Sequence, residues 1–294
     1  MELPGLRTID ADGPVAVSEW AGPDDLTFVL LHGLGASHLS WVQVAQPLAG
    51  LGRVMAPDLP GFGATPLAGR GTGLMDQRRA VSALLDAIGA RRVVLVGNSL
   101  GGAISILQAA VEPHTVAGVV LTNSVYPWHG GAIPHPLIVL SFGVYRAPIL
   151  GERYVAWRLR ALEPEQLVGL SLRFLAADPR SIPEEVVALL VELTAVRKDD
   201  PDVARAFLGA ARSLLRLGAR PKVARRALDN VTCPVLVLHG RRDRFVPAAF
   251  AEAELARHPT WRGRFFPDLG HIPQMEAPGR WLSEVADWSS ATFG

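Results

Sequence analysis

Gly97-Asn98-Ser99-Leu100-Gly101 puts a hydroxyl between two glycines, directly after the apolar run Val93-Val94-Leu95-Val96 and before the helix-like stretch 103–110. A strand that turns at once into a helix strains its corner residue and lifts that side chain clear of the sheet. Small residues two positions away on either side leave room for the close approach. Ser99 at such a corner is offered for attack on a carbonyl, with a helix N-terminus beneath it to favour developing negative charge. A serine hydroxyl alone is a poor nucleophile. It needs a base within hydrogen-bond reach, and the base needs an orienting carboxylate. Eight histidines compete for the base. His271, in Asp268-Leu269-Gly270-His271-Ile272-Pro273, follows the last strand run and a glycine that permits a sharp turn, and it is the expected base. His258 precedes that strand, which points it to the opposite edge. Asp243, in the loop after the strand run Pro234–Leu238, is the expected acid, holding the imidazole tautomer. Its rival Asp268 sits on the strand side of the turn and reads as a solvated carboxylate. The remaining place for an acid, after the strand ending near Asn123, carries Asn123 and Ser124 and no carboxylate.

Attack on a carbonyl also needs donors aimed where the oxyanion forms. The backbone N–H of Leu100 is one. The second is expected from His32-Gly33-Leu34-Gly35, with the N–H of Leu34 as the best position. His32 is expected to brace that loop by hydrogen bonding, and Trp41 to pack near it. Trp128, Phe142 and Trp157 are expected to line an apolar substrate pocket. Tyr126, Tyr145 and Phe174 are further candidates, although for any single one of these rings ordinary core packing is the plainer assignment. Arg205, Arg212, Arg216, Arg220, Lys222, Arg225 and Arg226 read as the wet face of an amphipathic stretch whose other face is Val203, Phe207, Leu214 and Leu215. The alternative is a patch attracting an anionic substrate. His129 and His135 have no acids nearby and make a poor metal site, so neither metal nor cofactor is expected.

Elements must position these residues. Leu26–Leu31, Arg53–Ala56, Val93–Val96 and Val116–Asn123 read as strands alternating with helical stretches at Val42–Leu48, Met75–Ile88 and 103–110. That alternation predicts a parallel sheet covered on both faces, with its C-terminal strand ends along one edge. From residue 124 to 230 strand signals vanish. Helical stretches near 152–162, 164–176, 183–197 and 201–217 replace them, separated by prolines. Strands resume at Pro234–Leu238 and Arg264–Phe266, and a helix over Pro278–Trp288 follows. The expected organisation is an α/β core of residues 1–123 and 231–294 with a helical cap inserted at 124–230. Gly69-Arg70-Gly71-Thr72-Gly73 reads as a flexible surface turn.

Composition narrows the class. The 294 residues are 49% hydrophobic, enough for a sizeable core, and 29 Lys+Arg balance 28 Asp+Glu. Nothing in that balance argues for nucleic acid. Cys233 stands alone, which excludes an intrachain disulfide and fits a reducing cytoplasm. It reads as a small buried residue before Pro234. No signal pattern opens the chain, and no apolar stretch approaches the roughly 20 residues of a membrane span. A cytoplasmic protein free of transmembrane segments is the expectation, with a homodimer left open.

Together His32-Gly33-Leu34-Gly35, Asp58-Leu59-Pro60-Gly61-Phe62-Gly63, Gly97-Asn98-Ser99-Leu100-Gly101-Gly102, Asp243 and Gly270-His271 resemble the α/β-hydrolase superfamily, in its branch with a helical cap after the sixth strand. The resemblance implies a mostly parallel eight-stranded sheet, a Ser99–His271–Asp243 triad and water as second nucleophile. Haloalkane dehalogenases and epoxide hydrolases carry aspartate where this chain has Ser99. The elbow is similar to that of the hydrolases that cleave carbon–carbon bonds in ring-fission dienones. Those usually have a Gly-Pro-Gly-type oxyanion loop and a tryptophan after the histidine, where this chain has Leu34-Gly35-Ala36 and Ile272. Cofactor-free haloperoxidase-like esterases are also similar. The expected activity is hydrolysis of a small, mostly apolar ester. The alternatives are dienone cleavage and a low-turnover receptor on the hydrolase fold. For the last, intact catalytic parts are a weak counter-argument.

Overall fold

Alternate residues of the central strands turn to opposite faces, and both sets are apolar. Val29, Leu31, Leu95, Leu121 and Val237 lie on one side, Phe28, Leu30, Val96, Val120 and Leu238 on the other. Strands of this kind need cover on both faces. In the computed structural model, which describes residues 4–127 and 132–294, they form the middle of an eight-stranded sheet. The strands are β1 (Arg7–Asp10), β2 (Pro14–Trp20), β3 (Thr27–Leu31), β4 (Arg53–Pro57), β5 (Val93–Asn98), β6 (Gly118–Thr122), β7 (Val235–Gly240) and β8 (Arg262–Phe266). Their order is β1-β2-β4-β3-β5-β6-β7-β8. β2 runs antiparallel to both β1 and β4, and every other pairing is parallel.

The helices are α1 (Val42–Leu48), α2 (Leu74–Ile88), α3 (Leu100–Val111), α4 (Pro136–Arg146), α5 (Leu150–Ala161), α6 (Pro164–Leu175), α7 (Glu184–Arg197), α8 (Pro201–Gly218), α9 (Pro221–Asp229), α10 (Ala248–Arg257), α11 (Pro273–Glu276) and α12 (Pro278–Phe293). α1 and α12 cover one face through Val44, Leu48, Trp281, Val285 and Trp288. α2, α3, α8 and α10 contribute Val81, Leu85, Ile104, Ala210 and Phe250 to the other. α4 to α9 all fall between β6 and β7. Pro136, Pro164, Pro201 and Pro221 each open a helix there, where a missing N–H costs nothing.

Three sequence expectations are corrected. The β1–β2 hairpin was not anticipated. Its turn holds Asp12 and Gly13 at φ +55° and +107°, and Gly13 N–H donates to Asp10 Oδ1 at 3.2 Å. α4 and α9 also lie outside the expected helices. Gly69–Gly73 is not a free turn: Arg70 Nη2 donates to the carbonyls of Pro14 (2.7 Å) and Pro66 (2.8 Å). Thr72 sits so close to α8 that a Cβ on Gly209 would fall 1.7 Å from its Oγ1.

A polar network ties α2 to α3. Arg78 Nη1 donates to Glu112 Oε1 at 2.6 Å and to Gln108 Oε1 at 3.1 Å, while Ser82 Oγ donates to Glu112 Oε2 at 2.7 Å. The Ser82 and Arg78 hydrogen bonds lower the Glu112 carboxyl from 4.5 to about 2. A lowered folded value means stability that is present in full above 4.5 and lost as pH falls through about 2. Glu112→Gln is therefore expected to cost about 1 kcal/mol at neutral pH. The deficit should shrink toward zero under acid, as urea unfolding of both proteins across that window would show.

Candidate active site

Ser99 is the one residue between β5 and α3, at φ +54° and ψ −110°. The chain can make this corner because the residues two positions away on either side, Gly97 and Gly101, have no side chains. A Cβ on Gly97 would lie 2.4 Å from the Gly101 carbonyl carbon, and one on Gly101 would lie 2.0 Å from the Leu31 oxygen. Ser99 N–H donates to Thr122 O at 3.1 Å, which pins the corner to β6. Leu100 opens α3, so its N–H has no intrahelical acceptor. The loop after β3 comes in from the other side of the crevice where the strand order reverses. There a Cβ on Gly33 would stand 3.5 Å from Ser99 Cβ. Among the described residues Leu34 N–H donates to no other backbone group.

His271 follows β8 and is buried. Its Nδ1 donates to Asp243 Oδ2 at 2.7 Å, which leaves Nε2 as the proton acceptor of the neutral ring. Asp243, in the loop after β7, is saturated with donors. Oδ2 also accepts from Asn123 Nδ2 at 2.7 Å, and Oδ1 accepts from Phe245 N–H at 2.7 Å and Val246 N–H at 3.1 Å. Burial alone would raise this carboxyl; the charge and hydrogen bond of His271, with His239 and Asn123, hold it below its ordinary value. Ser99 is joined to the histidine through its neighbour Asn98, whose Nδ2 donates to His271 O at 3.0 Å. No direct Ser99 Oγ–His271 Nε2 bond occurs among the described residues. Bonds of this type tighten when substrate binds.

Asn123 joins the candidate site although its residue type does not announce it. Noted in the sequence for lacking a carboxylate, it sits at φ +44° and clamps three elements. Its Nδ2 reaches Asp243 and, at 3.2 Å, Gly270 O; its Oδ1 accepts from Gly240 N–H at 3.2 Å. Phe245 was also missed: its ring stacks on His271 with centroids 4.9 Å apart. Both lie beside residues already singled out, and that adjacency was the available signal. His32 braces its loop as expected. Its Nδ1 donates to Gly33 O at 2.8 Å and its Nε2 accepts from Leu59 N–H at 3.0 Å. Burial lowers its pKa and keeps it neutral. Asp58, in the motif after β4, has a structural part here. Buried, it accepts from the backbone and Nδ1 of His38 and from Ala64 N–H, fixing the loop from beneath. Asp268 pairs with Arg280 at the surface, and His258 stacks on Trp261 beside β8, so neither competes for a catalytic place.

The inserted helices close over the loop after β3. Phe207 of α8 would touch a Cβ on Gly35 at 3.2 Å, and Phe142 shares an apolar cluster with Leu34, Tyr145 and Leu208. Trp157 corrects the expected pocket. It is 57% exposed, because Tyr154 and Val155 take the inward side of α5. Trp128 lies outside the described residues. Trp41 packs on Trp281 (centroids 6.0 Å apart) in the core on the α1–α12 face. Arg212 is no substrate cation either, since its guanidinium is held by Tyr145 O and Glu152. Cys233 is half-buried rather than buried, and burial pushes its thiol up to about 11.

A seam fastens this layer to the histidine loop. His271 N–H donates to Leu175 O at 2.7 Å, and Arg244 Nη1 donates to the carbonyls of Arg173 and Ala176. Buried Glu276 accepts from Ala177 N–H at 2.7 Å and Gly270 N–H at 2.8 Å; its burial raises the carboxyl.

The chain is similar to several known proteins. A pimeloyl-[acyl-carrier protein] methyl ester esterase of Aromatoleum aromaticum is 32% identical over 260 residues, covering 85% of this chain and 92% of that protein. A 2-hydroxy-6-oxononadienedioate/2-hydroxy-6-oxononatrienedioate hydrolase of Dechloromonas aromatica is 27% identical over 270 residues, covering 89% and 86%. Among solved structures, a thermophilic esterase from Thermogutta terrifontis superposes with a TM-score of 0.75 at 22% identity, covering 99% of this chain and all of that one. The haloalkane dehalogenase DatA from Agrobacterium tumefaciens C58 gives 0.80 at 21% identity, covering 98% and 97%. The sequence profile of the alpha/beta hydrolase family matches residues 28–285. With its mostly parallel eight-stranded sheet and that match over most of its length, the chain belongs to the alpha/beta hydrolase family.

Proposed function

We propose that the protein is a serine hydrolase that cleaves small, mostly apolar esters through a Ser99–His271–Asp243 triad, beneath a helical cap of residues 124–230. The observation that carries this is Ser99 held at φ +54°, tied through Asn98 to a hydrogen-bonded imidazole–carboxylate pair. His271 Nε2 takes the proton of Ser99 as Oγ attacks the ester carbonyl. The amides of Leu34 and Leu100 receive the oxyanion. The imidazolium, stabilised by Asp243, protonates the leaving alcohol. Water then attacks the acyl-enzyme with His271 as base, and the acid departs. The esterase among the relatives supports this reading. The dienedioate hydrolase relative favours a second one, cleavage of a carbon–carbon bond in a ring-fission dienone by the same residues.

A substrate panel separates them. The protein is assayed with p-nitrophenyl esters of increasing acyl length and with a ring-fission dienone, and labelled with a fluorophosphonate. Repeated turnover of the short esters and an adduct on Ser99 are expected. Faster decay of the dienone than of any ester would transfer the assignment to the second reading. One product per protein molecule and no more would leave a receptor.

A further inference from the structure

α4 reads Pro-Leu-Ile-Val-Leu-Ser-Phe-Gly-Val-Tyr-Arg, with its only charge at the last position. A helix apolar on every side is ordinarily buried on every side. Here only one side is. Phe142 and Tyr145 turn inward onto Phe207 and Leu208 of α8, while Leu137, Val139 and Leu140 remain exposed, Leu140 by 64%. α5 extends this surface. It packs inward through Tyr154, Val155 and Leu159. Outward it presents Leu150, Arg153, Trp157 and Arg160, a single stripe at helical spacing. Ile149, between the two helices, is also exposed. Isolated exposed leucines need no explanation; a contiguous set does.

Charge selects the occupant. On α4 and α5 the exposed charges are Arg146, Arg153 and Arg160 against one acid, Glu152, which Arg212 engages at 2.6 Å; Arg158 turns inward to Tyr145. The whole chain, by contrast, balances 29 bases with 28 acids. A second copy meeting this face across a two-fold axis would bring two net-positive surfaces together. An anionic lipid surface suits it instead: the apolar side chains enter the headgroup region, a tryptophan sits at the boundary, and the arginine stems lie along apolar surface with their heads on phosphates. We propose that the outer face of α4 and α5 docks on an anionic bilayer. The protein would lie on the membrane and not across it, since no helix among the described residues is long and apolar enough to span one. This inference stands independently of the ester reading.

The test uses the full chain and vesicles, with no activity assay. Sedimentation is compared for phosphatidylcholine vesicles with and without phosphatidylglycerol, at low and high salt, and circular dichroism checks that each variant is folded. Binding to the phosphatidylglycerol vesicles is expected, weakening as salt rises. Arg153→Gln/Arg160→Gln should lower that affinity about 25-fold, about fivefold per arginine. Leu137→Ser/Leu140→Ser should weaken binding at both salt concentrations. No binding to phosphatidylglycerol vesicles at low salt would overturn the proposal, as would binding indifferent to both double variants. A dimer in sedimentation velocity that Leu137→Ser/Leu140→Ser converts to monomer would also overturn it, assigning the face to a second copy.

Discussion

Ser99→Ala is expected to lower ester turnover about 10,000-fold or more, leaving only what the oxyanion donors and substrate binding supply. The methyl group cannot form the acyl-enzyme, so the fluorophosphonate adduct should vanish with it. Ser99→Gly gives a sharper result, because it separates chemistry from folding. A non-glycine residue at φ +54° and ψ −110° stores about 1–3 kcal/mol of backbone strain. Glycine relieves it, while its extra freedom in the unfolded chain takes back about 0.5–1 kcal/mol. The glycine variant should thus be inactive yet about 1 kcal/mol more stable in urea unfolding. An active Ser99→Ala protein would remove the nucleophile from the assignment. A glycine variant less stable than the parent would show that the corner is not strained.

Asp243→Asn should be nearly as damaging, with kcat falling about 10,000-fold. The carboxylate faces only donors: His271 Nδ1, Asn123 Nδ2 and the N–H groups of Phe245 and Val246. An amide has one accepting oxygen and two N–H bonds of its own. If its nitrogen faces His271, the ring must shift its proton to Nε2, the atom that has to receive the proton of Ser99. If its nitrogen faces the loop instead, two buried N–H groups lose their acceptor, at about 1–3 kcal/mol each. Either arrangement is costly, so both kcat and the urea midpoint should drop. An unchanged kcat would sink the role of Asp243, and Asn123 would then have no carboxylate to position.

Much of this site was legible because strand periodicity and loop order are local. The runs around Val29, Leu95, Val120 and Val237 are apolar on alternate residues in both registers, which marks strands buried on two faces, and each ends in a loop bearing polar groups. Gly97 and Gly101 declared the corner by size alone. Other features hid for definite reasons. β1 has exposed polar positions, and its pairing with β2 is signalled only by the short turn Asp12-Gly13. α4 has no polar face and hence no helical alternation to detect. The placement of Phe207 over Gly35 depends on how α8 is rotated above the sheet, which no local pattern encodes. Trp157 failed as a pocket residue for the same reason. Tyr154 and Val155 take the inward side, and hydrophobicity alone does not choose among three large apolar residues within one helical turn.

The seam from Arg173 to Ala177 has a consequence for engineering. Main-chain groups of Leu175, Ala176 and Ala177 hold the histidine loop through His271 N–H, Arg244 and Glu276. Transplanting a relative's inserted helices by cutting anywhere inside this segment would unseat the His271 loop. A workable chimaera exchanges α4 and α5, or α7 alone, and leaves 173–177 with its native partners 268–276. The same division is open to natural variation: specificity can drift on one side of the roof while the hinge post that carries the imidazole stays fixed.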